Sequence, residues 1–373
     1  MSSETPRQQV VSRAKLVVVK VGSDVLAKSS GVARSHDRKV IQHLAESIAK
    51  LRSRRIKVVL VSSGAIGRGL AELGRSSRPK RMDQLQAAAA IGQPHLMWLY
   101  EAALAKHGLR VGQILLTRSD FEDRVRYLNT QRTIAALHKM QAVPIINEND
   151  TVAVEEIRFG ENDILAALVV NLLRADLLIF LSSVDGLLRD GSVVDIVEKV
   201  DQSIYSLDHG RQSQGGLGGM SSKLQAAELV SRAGEAAIIA NGKLPHILER
   251  LLAGEKLGTL FVPAKKKISA RQRWIGSAAK TAGTLIVDAG AAQAIQKSRK
   301  SLLAIGITCV QGNFRAGQVV EVLGLDGKQI AKGRVNYSAG QIRKIMGLKS
   351  SQIKEVLGKF SQEEVIHADN LAL

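Results

Sequence analysis

Cysteine is nearly missing from this chain: one residue, Cys309, in 373. A lone cysteine excludes an internal disulfide framework and a cysteine-rich metal centre. Set in an apolar stretch, it is expected as buried packing. Aromatic residues are scarce at 3%, so stacking platforms for single-stranded bases are few. No apolar run approaches the roughly 20 residues of a membrane span, and the longest, around 164–173, is interrupted by Asn171. The opening MSSETPRQQVVSR is polar, short and without a signal-peptide core. It sets the expectation of a cytoplasmic location and of loose ordering over most of the first dozen residues. The eight histidines are scattered, none at metal-ligand spacing, and no HExxH, CxxC or Ser-His-Asp order occurs. Acidic residues are in deficit as well. Net charge is +19, and from residue 261 onward 18 Lys and Arg face 7 Asp and Glu, leaving +11 in the last third. Such an excess suits a polyanionic partner or a solubilising surface.

What is present is organised. The length fits two domains at roughly 100–200 residues each. Four unbroken apolar runs rich in Val, Ile and Leu stand at 16–19, 58–61, 143–146 and 177–181, each followed by Gly, Ser, Asn or Asp. Unbroken apolar runs of that length are expected of parallel strands covered on both faces. Between them, 37–54, 83–107 and 128–140 carry helical periodicity. Strand, polar turn and helix in repetition predict an open α/β sheet, with ligands at the carboxyl ends of its strands. The segment GTLFVPAKKKISARQ reads as a linker, and shorter runs at 284–287, 306–310, 319–323 and 329–331 predict a small β-rich module with one or two helices.

Lys20 stands inside the first run, just ahead of Gly22 and Ser23. A lysine at the end of a buried strand needs an anionic partner, and beside a backbone nest it suits phosphate. The lesser alternative is a side chain that snorkels from the strand end to solvent. The stretch VSSGAIGRGL places Ser62, Ser63 and Gly64 at the next strand end, where small residues serve either a ligand or close packing. In QSQGGLGGMSSKLQAAELV, Gly215, Gly216, Gly218 and Gly219 precede Ser221, Ser222 and Lys223 at the start of a helix. Amides, hydroxyls and a lysine there make a phosphate site, although the spacing is not a Walker loop. Finally VPIINENDTVAVEEIRFGENDILAA delivers two acid and amide clusters, Asn147 to Asp150 and Glu161 to Asp163. Phosphoryl transfer needs positioning and charge neutralisation more than covalent help, and these residue types supply both.

The blocks VVVKVGSDVL, VVLVSSGAIGRG, LLTRSDFEDRVRYLN, VPIINENDTVAVEEI, FGENDILAALVV, GGLGGMSSKLQAA and AGEAAIIANG, in that order, resemble the amino acid kinase family. SSGAIG and NENDTVA resemble its branch acting on glutamate. GNFRAGQVVEV and IAKGRVNYSAGQIRKIMG resemble a PUA domain. The resemblance implies a three-layer αβα fold with a mainly parallel sheet over 14–260 and a small β-rich PUA barrel over 269–358. It implies transfer of phosphate from ATP, with Mg²⁺ held largely by the nucleotide, to the side-chain carboxylate of L-glutamate. Lys20 and Lys223 would neutralise the transferring group and Asp163 would hold both. Ser63, Asp150 and Asn162 would bind glutamate, Asp150 through the α-amino group. Lys20, Ser182, Ser183, Leu217, Gly218, Gly219, Met220, Ser221, Ser222 and Lys223 would line the nucleotide. No metal is expected on protein ligands alone, and a homo-oligomer, dimer or tetramer, is implied. An alternative reading makes the chain an RNA-binding protein through its PUA module, with the kinase half secondary. The dearth of aromatics weighs against it.

Overall fold

The computed structural model describes residues 4–26, 33–75, 77–153, 162–208, 219–265, 267–358 and 362–373. It divides into two units, one of 1–120 and 125–267, the other of 121–124 and 268–373.

In the first unit the unbroken apolar runs become buried strands. In chain order they are β1 (Leu16–Val21), β2 (Lys57–Ser62), β3 (Arg110–Leu116), β4 (Ala142–Glu148), β5 (Leu177–Ser182), β6 (Ile196–Val197), β7 (Ala236–Asn241) and β8 (Thr259–Phe261). They form one sheet in the order β3-β4-β2-β1-β5-β7-β8-β6. Pairing is parallel from β3 through to β7, then β8 runs antiparallel to β7 and parallel to β6. The helices used below are α1 (Ala33–Ser53), α2 (Ala65–Glu72), α3 (Met82–Ala105), α4 (Arg124–Lys139), α5 (Asn162–Leu173), α6 (Met220–Arg232) and α7 (Ile247–Leu252).

Side chains alternate across β1, and that alternation sets the layers. Val17, Val19 and Val21 share one core with Ile48 and Leu51 of α1, Leu96 and Tyr100 of α3, and Leu248 and Leu251 of α7. Val18 and Lys20 point to the other face, where α5 packs on β1 and α6 on α5. The sheet is therefore covered on both sides, as its unbroken runs require.

Three expectations need correction. The first dozen residues are not all loosely ordered: Pro6–Ser12 is a helix with a Thr5 and Gln8 capping box. Its Arg7 is buried, pairs with Asp195 at 2.7 Å and donates to the carbonyls of Leu257 and Gly258. The stretch from Gly258 to Gln272 is not a linker throughout. It contains β8, and a helix, Ala270–Ser277, opens on a Ser269 and Gln272 capping box. Cys309 is half-buried on a strand rather than packed in a core. β3 and β7 escape detection because Gly112 and Gln113 dilute one and alanines the other.

The second unit carries β9 (Thr281–Val287), β10 (Ile307–Gly312), β11 (Val319–Leu323), β12 (Gln329–Arg334) and β13 (Leu371–Ala372), ordered β10-β9-β11-β12-β13. Leu285, Val320, Val322, Ile342 and Ile366 fill its core. Among its described residues are four helices, Ala270–Ser277, Ala289–Ser298, Ala339–Ile345 and Ser350–Leu357, more than the one or two expected. Among the described residues no helix is long and apolar enough to cross a membrane.

Candidate active site

β1 is the switch point of the sheet: chain order runs outward from it through β2 on one side and β5 on the other. In doubly wound sheets the ligand crevice opens at the carboxyl ends of the strands beside such a point. The residues at those ends are polar and small. Lys20 lies level with Val61 of β2 and Phe180 of β5, one residue short of the strand end. Ser62 closes β2, and Gly64, at φ +106°, takes the left-handed conformation that turns the chain directly into α2. Asn147 and Glu148 end β4, and Ser182 ends β5.

The centre of the site is a buried charge triad. Asp163, in the first turn of α5, is fully buried. Its Oδ1 lies 2.7 Å from Lys20 Nζ and its Oδ2 lies 3.2 Å from Lys223 Nζ. Ser222 Oγ donates to the same Oδ2 at 3.1 Å. Lys223 stands in the first turn of α6, whose N-cap is Gly219. Burial pushes the Asp163 carboxyl upward, but Lys20 and Lys223 together outweigh it and hold the group below the ordinary carboxylate range. Asp163 is thus a carboxylate, and two lysines around one carboxylate leave a net positive charge at the mouth of two helix N-termini. That field suits a transferring phosphoryl group.

Next to the triad stands a network of amides and hydroxyls. Asn162 Nδ2 lies 3.0 Å from the Ser62 carbonyl, 3.0 Å from Ser63 Oγ and 2.8 Å from Asn147 Oδ1. An amide nitrogen only donates, so Ser63 Oγ accepts from Asn162 and keeps its own proton to donate elsewhere. Asn162 Oδ1 is buried with no partner among the described residues. Asn147 Nδ2 donates to Gln93 Oε1 at 2.8 Å, and Ser62 Oγ shares a 2.8 Å hydrogen bond with Tyr100. Asp150 follows β4 in a turn that Asn149 ties to Leu116 at 2.9 Å.

The sequence-predicted residues distribute as follows. Lys20, Lys223 and Asp163 meet in the triad, and Asn162 and Ser63 meet in the amide network. Ser182 is buried at its strand end, while Ser183 N and Oγ both donate to Asp24 Oδ2. Gly219, Met220, Ser221 and Ser222 form the cap and first turn of α6. Leu217 and Gly218 of the nucleotide set, and Glu161 of the second acid cluster, lie outside the described residues. Sequence reasoning missed Gln93, Tyr100 and Asp24 and left Asn147 without a role. Asn147 was visible inside its acid and amide cluster; the other three carry no local motif. Among the described residues no three His, Cys, Asp or Glu side chains group to hold a metal. Both oxygens of Asp163 face lysines.

Comparison with known proteins agrees with this architecture. Residues 15–241 match the amino acid kinase family and 283–357 match the PUA domain. The chain belongs to the amino acid kinase family and is an enzyme of that class, a phosphotransferase drawing on ATP with a divalent cation. Two similar relatives are each named glutamate 5-kinase. That of Ectopseudomonas mendocina (strain ymp) is 43% identical over 370 residues, 97% of this chain and 99% of the relative. That of Caldanaerobacter subterraneus subsp. tengcongensis is 44% identical over 364 residues, 96% of this chain and 97% of the relative. Among solved structures, N-acetylglutamate synthase from Neisseria gonorrhoeae, complexed with coenzyme A and N-acetyl-glutamate, is similar at a TM-score of 0.50 and 16% identity. The match covers 70% of this chain and 63% of that one, a likeness of fold alone.

Proposed function

We propose that this protein is a glutamate 5-kinase, transferring the γ-phosphoryl group of ATP to the side-chain carboxylate of L-glutamate, with Mg²⁺ accompanying the nucleotide. A carboxylate oxygen of glutamate attacks the γ-phosphorus, the bond to the bridging oxygen breaks, and ADP leaves beside glutamyl 5-phosphate. The observation that carries the reading is adjacency: Asp163, held between Lys20 and Lys223, follows directly on Asn162, whose amide reaches Ser63 and Asn147. Charge neutralisation for a phosphoryl group and a polar wall for its acceptor are thereby built on neighbouring residues of one helix start. The names of the relatives support glutamate as the acceptor.

In this reading Lys20 and Lys223 neutralise the transferring group and Asp163 fixes both ammoniums. Ser63 and Asn162 bind glutamate, and Asp150 receives its α-ammonium. Lys20, Ser182, Ser183 and the run from Leu217 to Lys223 line the nucleotide. Mg²⁺ would be held largely by the phosphates of the nucleotide and would offset part of their charge. The two modules are taken as 14–260 and 269–358, and the working form as a homo-oligomer in the cytoplasm.

The test is an ATP-dependent hydroxamate assay offering glutamate, aspartate and acetylglutamate separately, with UMP followed through ADP release. Turnover of glutamate is expected. Turnover of one of the others with none of glutamate overturns the proposal.

A further inference from the structure

Gln93 lies in the middle of α3, on a helix that is otherwise apolar over most of its surface, and it is nine-tenths buried. A buried amide needs its hydrogen bonds made, so its position calls for a partner. That partner is Asn147, which donates Nδ2 to Gln93 Oε1 at 2.8 Å.

In the series Gln93, Asn147, Asn162, backbone groups fix the sense of the last two amides. Asn147 Oδ1 accepts from the backbone N–H of Glu148 at 2.9 Å, and a backbone N–H can only donate. Asn147 must therefore turn its NH₂ toward Gln93 and its oxygen toward Asn162. At the other end, Asn162 Nδ2 lies 3.0 Å from the Ser62 carbonyl, which can only accept. The Asn162 oxygen is forced to the opposite side, where it is buried with no partner among the described residues. A buried, unpartnered carbonyl oxygen beside a net positive triad is an acceptor waiting for a donor, and the α-ammonium of an amino acid is one.

We infer that Gln93 is a positioning residue for substrate: by accepting from Asn147 Nδ2 it holds Asn147 in place against Asn162, so that the Asn162 amide, whose direction the Ser62 carbonyl sets, keeps its oxygen placed for the ammonium of the bound amino acid. Gln93 itself does not touch the substrate. Its backbone is held because α3 crosses α2 at direct contact. A Cβ on the neighbouring Gly92 would lie 1.9 Å from the Ala65 carbonyl oxygen and 2.4 Å from Gly69 N. α2 starts immediately after the Ser62 to Gly64 turn, so the same crossing sets Gln93 and the substrate-facing serine in one rigid frame.

This inference rests on the glutamate reading above, and the experiment separates the two. Glutamate and ATP KM and kcat are measured for the wild-type protein, Gln93→Met, Gln93→Glu, Asn162→Ala and the Gln93→Met/Asn162→Ala double variant, with thermal unfolding of each. Gln93→Met removes the acceptor at nearly constant volume. It is expected to raise the glutamate KM about tenfold or more, the scale of leaving one buried donor unmade, with ATP KM and unfolding temperature little changed. Gln93→Glu keeps an oxygen for Asn147 Nδ2 and restores the glutamate KM to within about threefold of wild type, below the scale of one lost buried hydrogen bond. In the Asn162→Ala background Gln93→Met adds no further rise, because its effect passes through Asn162.

An unchanged glutamate KM in folded Gln93→Met overturns the inference. So does a Gln93→Glu protein as impaired as Gln93→Met, or a full additional penalty in the double variant. A wild-type protein that turns over no glutamate overturns the substrate reading and the relay with it. Should Gln93→Met fail to fold, Asn147→Asp and Asn147→Asp/Gln93→Glu read the same contact. Gln93 can turn its NH₂ to serve the single variant, whereas the double sets two carboxylates face to face. The double is expected to show a glutamate KM at least tenfold above the single, on the scale of one lost buried hydrogen bond; equal values overturn the relay.

Discussion

Replacing Asp163 by Asn keeps the shape of the side chain and removes one negative charge from between two ammoniums. Lys20 Nζ stands 2.7 Å from one carboxylate oxygen and Lys223 Nζ 3.2 Å from the other, and the lysines are only 5% and 6% exposed. The variant therefore holds two nearly dry positive charges with an amide for company. Removing one partner of a buried pair destabilises by about 3–5 kcal/mol, because the other charge is left uncompensated. At roughly 2–4 °C per kcal/mol for a unit of this size, the unfolding temperature is expected to fall by about 6–20 °C. A polyphosphate binds the variant's bare lysines in place of the lost carboxylate, so saturating ATP should raise its unfolding temperature more than it raises that of the wild type. The deficit also depends on pH. The Asp163 carboxyl titrates below its ordinary value, so its contribution is complete above about pH 4, the unfolded value, and is lost as pH falls through the folded one. The gap between wild type and variant should accordingly close in acid. Differential scanning fluorimetry across pH, with and without nucleotide, measures all three effects, and kcat should drop at least about 100-fold as the lysines lose their alignment. Equal unfolding temperatures at pH 7, or equal stabilisation by ATP, would refute the assignment of Asp163 as the counter-ion of both lysines.

Two further outcomes follow from other residues. Lys20→Ala and Lys223→Ala each leave a neutral lysine and aspartate pair, so both should fold with a smaller loss of stability than Asp163→Asn while lowering kcat by at least about two orders of magnitude; a loss of glutamate affinity alone, with kcat preserved, contradicts their roles. His138, in the last turn of α4, has both ring nitrogens buried without a partner among the described residues, and burial, then Lys57 and Arg52, push its pKa down to about 4. Unfolded, it takes a proton near pH 6.5, so stability should decline as pH falls from about 6.5 toward 4, and His138→Leu should flatten that part of the profile; parallel profiles for the two proteins would remove His138 as the cause.

Much of the architecture is legible in the chain because burial writes itself into composition. β1, β2, β4 and β5 are covered on both faces and are built around apolar runs rich in Val, Ile and Leu. β3 is an edge strand with one neighbour, so it tolerates Gly112 and Gln113 and loses the signal. The N-terminal helix was misread for a different reason: its order comes from Arg7 reaching Asp195 and the Gly258 carbonyl, contacts about 190 and 250 residues away that no local pattern carries. The triad was legible because charge is expensive to bury. A lysine inside a strand and an acid at the head of an apolar helix each demand a partner, and only a few candidates exist.

Amides carry no such demand in sequence, and that is why the relay stayed hidden. Gln93 reads as a polar interruption of an apolar helix, 54 residues from the Asn147 it contacts. Direction is the further obstacle, since an amide offers a donor and an acceptor of almost the same shape. The fixed sense of the Glu148 N–H and the Ser62 carbonyl determines which way the Asn147 and Asn162 amides turn. The same geometry divides the twin acid and amide clusters by what each can do. The first ends β4 and gives Asn147 to the relay, whereas the second opens α5 and splits its neighbours between two tasks. Asn162 completes the polar wall, and Asp163 anchors the lysines. Two clusters were needed because a helix start can turn one side chain toward the amide wall and the next toward the lysines, but it cannot also supply the backbone donor that sets the amide's direction. β4, lying beside β2, supplies that donor.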